Sequence, residues 1–314
     1  MFVTEHIDRA RNPLFSYEII PPPRGRGARD ILDIVEQLLP FQPPFIDVTS
    51  HGAIAQYEEL DDGTVRRRIR TKRPGTISLC GIIQNRYNID TVPHLLCRGF
   101  TREETEDAMI ELNFLGIHNV LAIRGDESDY RRPADADRTI NRYTGELVTQ
   151  LNDLRSGRYL EEIADSEPIE MCIGVGGYPE KHVEAVNQKD DLRRLKEKVD
   201  AGADYIVTQM FFDNQKFFDF ERGCRELGIK VPIIPGLKVI NSATQLTKLP
   251  ENFHVDIPPA LADQIQAEPK RARQLGIDWA VGQCTQLLNR GTKCIHFFVV
   301  NDVRSVVQTV SRLR

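Results

Sequence analysis

Long apolar segments are missing from this sequence. No run approaches the roughly 18 consecutive apolar residues of a membrane-spanning helix, and residues 1–11 are polar where a secretion signal would be apolar. These two absences argue against a membrane protein and against an exported one, so the chain is predicted to be cytoplasmic.

A strong excess of one charge is missing as well. The formal net charge is -5, with 41 basic and 46 acidic residues, so no broad basic surface for nucleic acid is expected. Hydrophobic residues make up 40% of the 314, an ordinary share for a globular protein. This length suits one large α/β barrel, and a single domain over residues 1–314 is predicted.

Several common cofactor motifs are also lacking. The sequence has no Cys-x-x-Cys pair, no cluster with metal-ligand spacing, and neither a Gly-x-Gly-x-x-Gly nor a Walker loop. We therefore expect no metal. The cysteines mostly have apolar neighbours, which predicts buried free thiols in a reducing compartment. They are Cys80, Cys97, Cys172, Cys224, Cys284 and Cys294.

Short apolar segments alternate with longer amphipathic ones along the chain. Strands that are apolar on both faces belong in a parallel sheet covered by helices. Eight such units favour a closed (β/α)₈ barrel, an α/β fold, over an open sheet. The predicted strands are residues 14–20, 45–49, 91–96, 119–123, 171–175, 205–210, 233–236 and 294–300.

The predicted helices mostly follow these strands. They are residues 28–39, 102–115, 144–154, 190–201, 214–227, 242–248 and 303–313, with further helical segments at 65–70, 77–87 and 272–289. The run 66–70 of mostly arginine is predicted to be a solvated helix face. Residues 126–142 are charged and without periodicity, which predicts a long loop after the fourth strand.

Polar residues gather where the predicted strands end. In a barrel of this kind the active site lies at the C-terminal ends of the strands. Six polar strand ends on one rim are more than solvation explains, so a functional site is predicted there. The residues, from the first strand to the sixth, are Glu18, Thr49, Ser50, His94, Arg124, Gly125, Asp126, Tyr178, His182 and Gln209.

Glu18 is the most unusual of these residues, because it lies inside an apolar strand. A buried carboxylate is costly unless it is paired or functional. Burial would raise its pKa and suit it to general-acid chemistry near neutral pH. A buried ion pair with an arginine is the alternative interpretation.

Two other groups carry opposite charges. Asp191, Arg194 and Lys198 share one helix face, where the acid could accept ribose hydroxyls and the cations could neutralise a pyrophosphate. Arg124 and Asp126 flank Gly125, which permits close approach of the backbone to a ligand. A solvated charged face and a surface salt bridge are the respective alternatives.

An ordered set of motifs between residues 15 and 301 resembles the methylenetetrahydrofolate reductase family. It comprises Phe15-Ser16-Tyr17-Glu18 with Pro21-Pro22, Val48-Thr49 with Gly52-Ala53, Pro93-His94-Leu95, Ala122-Ile123-Arg124-Gly125-Asp126, Gly177-Tyr178-Pro179-Glu180 with His182, Asp191-Leu192, Thr208-Gln209, and Ile234-Pro235-Gly236. The resemblance implies a barrel that binds FAD without a Rossmann domain. It also implies that NAD(P)H and methylenetetrahydrofolate react in turn at the same flavin face.

The resemblance also assigns roles to individual residues. Glu18 is similar to the family's general acid, Asp126 to a carboxylate near flavin and pterin, and Gln209 to a pterin contact. The flavin contacts implied in this way are Thr49, His94, Arg124, Gly125, Asp126, Tyr143, Thr144, Tyr178, His182, Ala185, Asp191, Arg194 and Lys198. The chain is expected to be the catalytic barrel alone, without a C-terminal regulatory domain.

The sequence departs from the family pattern near its end. Asp302 stands where the family often has an arginine that holds the folate tail, and Lys238 is a candidate replacement for that charge. Another flavin barrel, related to proline dehydrogenase, and a non-enzymatic scaffold remain alternatives. The choice between NADH and NADPH stays open, as does oligomeric state, a homo-oligomer included.

Overall fold

The chain forms a closed barrel of eight parallel strands, which confirms the predicted (β/α)₈ fold. The computed structural model describes residues 1–125, 139–300 and 302–314. Around the barrel, each strand pairs in parallel with the next, and the last pairs with the first. In that order the strands are β1 (Leu14–Ile19), β2 (Phe45–Val48), β5 (Asp90–Leu96), β6 (Asn119–Ile123), β7 (Cys172–Gly177), β8 (Tyr205–Met210), β9 (Ile233–Leu237) and β10 (Cys294–Val300).

Helices cover the outside of the barrel, and several begin at side-chain caps. Thr101 and Glu104 form a reciprocal capping box, and the Asn187 and Asp213 side chains accept first-turn N–H groups. The helices are α1 (Val3–Arg9), α2 (Arg29–Leu38), α3 (Thr76–Tyr87), α4 (Arg102–Phe114), α5 (Thr144–Arg155), α6 (Gln188–Asp200), α7 (Asn214–Glu226), α8 (Gln245–Phe253), α9 (Pro259–Ala267), α10 (Ala272–Asn289) and α11 (Val303–Ser311).

The prediction of a helix at residues 65–70 is wrong. This segment is the strand β4 (Val65–Thr71), which pairs antiparallel with β3 (Ala53–Glu59) in an exposed hairpin beside the barrel. Its turn contains Asp62, whose carboxylate accepts from the Thr64 N–H at 2.9 Å, and Gly63, whose φ is +79°. An Asp-Gly pair between such segments is a hairpin signal, and the arginine run obscured it.

The interior of the barrel holds a buried apolar cluster and a group of polar residues. The apolar cluster draws on strands around the whole barrel and includes Phe45, Leu121, Tyr205 and Ile234. The Tyr205 ring fills the interior over Gly174, where a Cβ atom would overlap it. The polar group comes from the adjacent strands β10, β1, β2 and β5, and it forms the candidate site described below.

Helix α1, which the sequence did not predict, closes the N-terminal end of the barrel. The Val3 N–H donates to the Asn119 side chain at 2.8 Å, and the chain's amino terminus pairs with Asp90 at 2.9 Å. Val3 and Ile7 pack in the same apolar cluster as Tyr205. This end is therefore filled, which leaves the opposite rim for binding.

Two further findings concern the cysteines and the helices. All six cysteines are buried, as predicted. Among residues 1–125, 139–300 and 302–314, no helix combines the length and apolar character needed to cross a membrane.

Helix α10 fixes the segment that follows β9. Gly276 is buried in this helix, and a Cβ atom there would overlap the backbone carbonyl oxygen of Ile240. The contact holds residues 238–241, which include Lys238 and Asn241, against the end of the barrel. Only glycine allows the two backbones to come this close.

This contact predicts a contrast between two glycines of α10. Gly276→Ala should lower the free energy of unfolding by about 1–3 kcal/mol, since the carbonyl of Ile240 cannot move cheaply. Gly282→Ala, at an exposed position with open space around it, should stabilise by up to about 1 kcal/mol. Urea unfolding of both variants measures the difference. Equal effects would show that the α10 contact is not close.

Candidate functional site

Four ionisable side chains lie together inside the barrel. Glu18, Asp47, His94 and His296 come from β1, β2, β5 and β10, and we call them the buried charge cluster. The Glu18 Oε2 atom is 3.6 Å from His94 Nε2 and 3.9 Å from His296 Nε2. The Asp47 Oδ2 atom is 3.6 Å from His94 Nε2, and its Oδ1 atom is 3.8 Å from His296 Nδ1. Each imidazole therefore lies between two carboxylates.

The cluster is almost closed to solvent. The side chains of Asp47 and His296 are fully buried, that of His94 is 4% exposed, and that of Glu18 is 13% exposed. Ser16 hydrogen-bonds His296 Nδ1 at 2.9 Å. Glu18 is thus the member closest to water, at the C-terminal rim where the sequence predicts the site.

The prediction of a raised pKa for Glu18 is wrong. Burial does act to raise it, but contact with His296 and the positive charges of His94, His296 and Lys238 outweigh burial and lower the pKa. The predicted alternative of a buried ion pair is closer, although the partners are histidines and not an arginine. Burial acts to lower the pKa of His94, but Asp47 and Glu18 together raise it.

Lys238 is another buried charge, just after β9. Its Nζ atom donates to the carbonyl oxygens of Phe298 at 2.9 Å and Val299 at 3.2 Å. Burial lowers its pKa to about 8, against the opposing effect of Asp302 and Glu18. The amine is held by backbone carbonyls of the fold, which gives its predicted contact with a folate tail no support, and that contact stays a prediction.

Asp302 has a structural contact that accounts for an acid at this position. Its carboxylate accepts from the Ser305 N–H at 3.2 Å, which caps α11, and from the Asn241 side chain at 2.5 Å. The acid therefore joins α11 to the segment after β9.

A second group of charges lies on the rim, in the segment after β7 and on α6. It consists of His182, Asp191 and Lys198, and we call these residues the rim cluster. Asp191 accepts from the His182 N–H at 2.9 Å, and Lys198 Nζ donates to the Gly176 carbonyl at 2.7 Å. Burial lowers the pKa of Lys198 to about 8 despite the favourable charge of Asp191. A partly buried ammonium with one carbonyl partner is suited to receive an anion.

Arg194, from the same predicted face, lies at the edge of this group. Its Nε atom pairs with Asp190 at 2.9 Å, and its side chain is 48% exposed. The positions of Asp191 and Lys198 are compatible with the predicted ligand site. Arg194 instead forms the solvated ion pair that was the alternative interpretation.

The remaining rim residues surround these two clusters. Arg124 pairs with Glu184, and its guanidinium lies 5.2 Å from the centre of the Tyr143 ring. The Tyr178 and His182 rings meet edge to face at 4.6 Å. Gly125 has a φ of +84°, a conformation that favours glycine.

Other predicted site residues fall at the expected strand or helix ends. Thr144 begins α5 and Ala185 is buried after β7. Thr49 follows β2, and Gln209 is half-buried near the end of β8. Asp126, and most of the loop predicted at residues 126–142, lie outside the described residues.

Sequence reasoning missed Asp47 and His296. Asp47 breaks the apolar strand Phe45–Val48 in the same way that Glu18 breaks its own strand. The signal was present, since a carboxylate inside a strand that is otherwise buried needs an explanation. His296 lies in the apolar strand β10 and gave a weaker signal, because a lone histidine is usually structural.

A cavity of about 290 Å³ opens beside the buried charge cluster. Ser50, Arg73 and His94 line it, together with the first residues of α3 and one face of α4. Its size approaches that of a small-molecule pocket. The C-terminal end of the barrel thus has a cavity lined by His94, a shielded cluster of two carboxylates and two imidazoles, and the ammonium of Lys198.

These features define a class of protein: a (β/α)₈ barrel with an acid–base centre at the C-terminal rim. Comparison with known proteins is more specific. The family model for methylenetetrahydrofolate reductase matches residues 3–314. The chain therefore belongs to the methylenetetrahydrofolate reductase family.

Individual relatives agree with this family. The chain is 29% identical to methylenetetrahydrofolate reductase (NADH) 1 of Zea mays, over 95% of this chain and 48% of the plant protein. It is 29% identical to 5,10-methylenetetrahydrofolate reductase of Escherichia coli, over 91% of this chain and 86% of that protein. The chain spans about half the length of the eukaryotic relatives that it matches.

One solved structure has the same fold. It is an uncharacterised Clostridium thermocellum protein described as binding two copies of 5-methyl-5,6,7,8-tetrahydrofolic acid. The TM-score is 0.59 at 13% identity, over 98% of this chain and 97% of that one. At this identity the likeness supports the barrel fold only.

Proposed function

We propose that this chain reduces 5,10-methylenetetrahydrofolate to 5-methyltetrahydrofolate with NAD(P)H and a bound FAD, within one-carbon metabolism. The observation that carries the proposal is the position of Glu18 at the barrel rim, 3.6 and 3.9 Å from two imidazoles, in a chain that belongs to this family. The name of the Zea mays relative supports a nicotinamide donor. We infer a ping-pong order, in which the two substrates use one face in turn.

The rim cluster fits the FAD that the family implies. Lys198 provides a partly buried cation for the diphosphate, and Asp191 provides a carboxylate for ribose hydroxyls. His94 and Thr49, at the C-terminal ends of β5 and β2, would contact the flavin ring. When bound, FAD would carry a hydride from the nicotinamide to the folate. The other proposed flavin contacts are Arg124, Gly125, Asp126, Tyr143, Thr144, Tyr178, His182, Ala185 and Arg194.

The chain's own residues would supply the proton that opens the folate ring. In the free protein the neighbouring positive charges lower the pKa of Glu18 and favour its carboxylate, while Asp47 and Glu18 raise the pKa of His94 and favour its protonated form. His94 Nε2 and Glu18 Oε2 are 3.6 Å apart, so a small rotation brings them within hydrogen-bond distance. A folate at the rim excludes water and makes the separated charges costlier. The proton then moves to Glu18 Oε2 and on to the departing nitrogen.

Two more residues are proposed to bind the folate. Gln209, half-buried near the end of β8, offers an amide to the pterin edge. Asp126 is assigned to the same ring by the family motif, and its position lies outside the described residues.

The proposed FAD site predicts different effects for two lysines of α6. Lys198→Ala should raise the FAD dissociation constant by at least roughly tenfold, since loss of a charge-assisted contact to a phosphate costs about 1.5–3 kcal/mol. Lys196→Ala should leave it unchanged, because Lys196 pairs with Asp200 on the helix surface. Fluorescence titration with FAD measures both constants. Equal FAD affinities in both variants would show that the diphosphate does not bind at Lys198 on α6.

The proposed acid predicts a separation of the two half-reactions in Glu18→Gln. This variant keeps the shape of the side chain and loses its proton. FAD should bind normally and be reduced by NAD(P)H at close to the parent rate. Reoxidation by methylenetetrahydrofolate should slow by at least about a hundredfold, in the range typical for loss of general-acid assistance. Stopped-flow absorbance records each half-reaction separately.

The two contrary outcomes of that experiment have different meanings. Equal losses in both half-reactions would make Glu18 a structural residue. A near-normal rate with the folate would assign the acid to another side chain.

A further inference from the structure

Asp47 has no role in the function proposed so far, although it lies in the buried charge cluster. Its side chain is fully buried, and within the described part of the chain neither carboxylate oxygen has a partner at hydrogen-bond distance. Its nearest polar neighbours are the two imidazoles, His94 Nε2 at 3.6 Å and His296 Nδ1 at 3.8 Å. A charge held in this way costs folding free energy unless the neighbouring rings carry opposite charge.

The register of the barrel places Asp47 directly beside Glu18. The two residues are paired neighbours on β2 and β1, so their side chains leave the same face of the sheet. His94 Nε2 is 3.6 Å from a carboxylate oxygen of each, and His296 presents one ring nitrogen to each. Asp47 therefore acts on the same two rings as Glu18, from the side that is sealed from water.

A purely structural role explains this arrangement poorly. Apolar residues of similar size in a protein core are often as stabilising as a buried ion pair, or more so. Apolar residues fill much of the same interior, and Phe45, two positions before Asp47 on β2, packs in one buried cluster with Leu121 and Ile234. A charge retained at Asp47, next to the acid, indicates a use in the chemistry of that acid.

We propose that Asp47 is a positioning residue that holds a proton on His94, so that His94 can supply this proton to Glu18 in each turnover. This inference rests on the proposed function. In each turnover the His94 imidazolium gives its Nε2 proton to the Glu18 carboxylate and becomes neutral. Glu18 then gives this proton to the departing nitrogen and is a carboxylate again, and solvent restores the proton of His94. No electrons move in these steps.

Other titratable groups near Asp47 leave this assignment intact. Burial raises the pKa values of Cys80, Tyr205 and Cys294, so these groups stay neutral between about pH 5 and 9. Lys238, with a pKa lowered to about 8, faces Glu18 and can change charge in that range. Lys238 is unchanged in the variants compared below, so its titration contributes alike to each of them.

The test is to follow the imidazole nitrogens by ¹⁵N NMR in the purified protein. In the parent, His94 should be doubly protonated at pH 7. In Asp47→Asn, which keeps the shape and removes the charge, His94 should lose its proton at a pH at least about one unit lower. Cys294→Ser, an uncharged change on the same inner wall, should leave the titration unmoved. A neutral His94 in the parent at pH 7 overturns the proposal without any variant.

Two further results would overturn the proposal: a His94 titration that is the same in Asp47→Asn and the parent, or an equal shift in Cys294→Ser. As a second measurement, Asp47→Asn should slow the folate half-reaction by at least roughly tenfold and leave flavin reduction by NAD(P)H unchanged. If the parent protein reduces no folate, the proposed function fails, yet the NMR comparison still decides the role of Asp47.

Discussion

The enclosure of two carboxylates and two imidazoles inside one barrel is the constraint on which the candidate site depends. Glu18, Asp47, His94 and His296 come from four neighbouring strands that span the whole length of the chain. Barrel closure, which pairs β1 with β10, is what brings the first and the last of these strands together. Their charges are acceptable in the interior because each imidazole lies between two acids. The same strand pairing that closes the barrel therefore assembles the buried charge cluster.

The surrounding structure keeps this cluster shielded on one side and accessible on the other. Helix α1 and the Tyr205 ring fill the lower interior, so Glu18 is exposed only at the C-terminal rim. Gly276 lets α10 press the segment after β9 against the barrel end, where Lys238 is held by the carbonyls of Phe298 and Val299. The cation of the rim cluster, Lys198, lies at the same rim and donates to the Gly176 carbonyl.

Strands and amphipathic helices were predictable because burial on both faces and the 3.6-residue period are strong signals. The hairpin of β3 and β4 was not, since the arginine run masked a short Asp-Gly turn. Helix α1 is too short to show a period, and it is stabilised by contacts such as that of Val3 with Asn119. Position along the chain predicted Glu18 and the rim residues, but it could not predict which side chains meet. The histidines near Glu18 lie far from it in the sequence, at positions 94 and 296, and they reverse the direction of its pKa shift.

The most direct test of the account is an anaerobic titration of the FAD-loaded protein with 5-methyltetrahydrofolate, the proposed reaction run in reverse. The account predicts that this compound bleaches the oxidised flavin band, whereas proline, the substrate type of another flavin barrel, leaves the band unchanged. A flavin band that persists with 5-methyltetrahydrofolate, or one that proline bleaches instead, would contradict it.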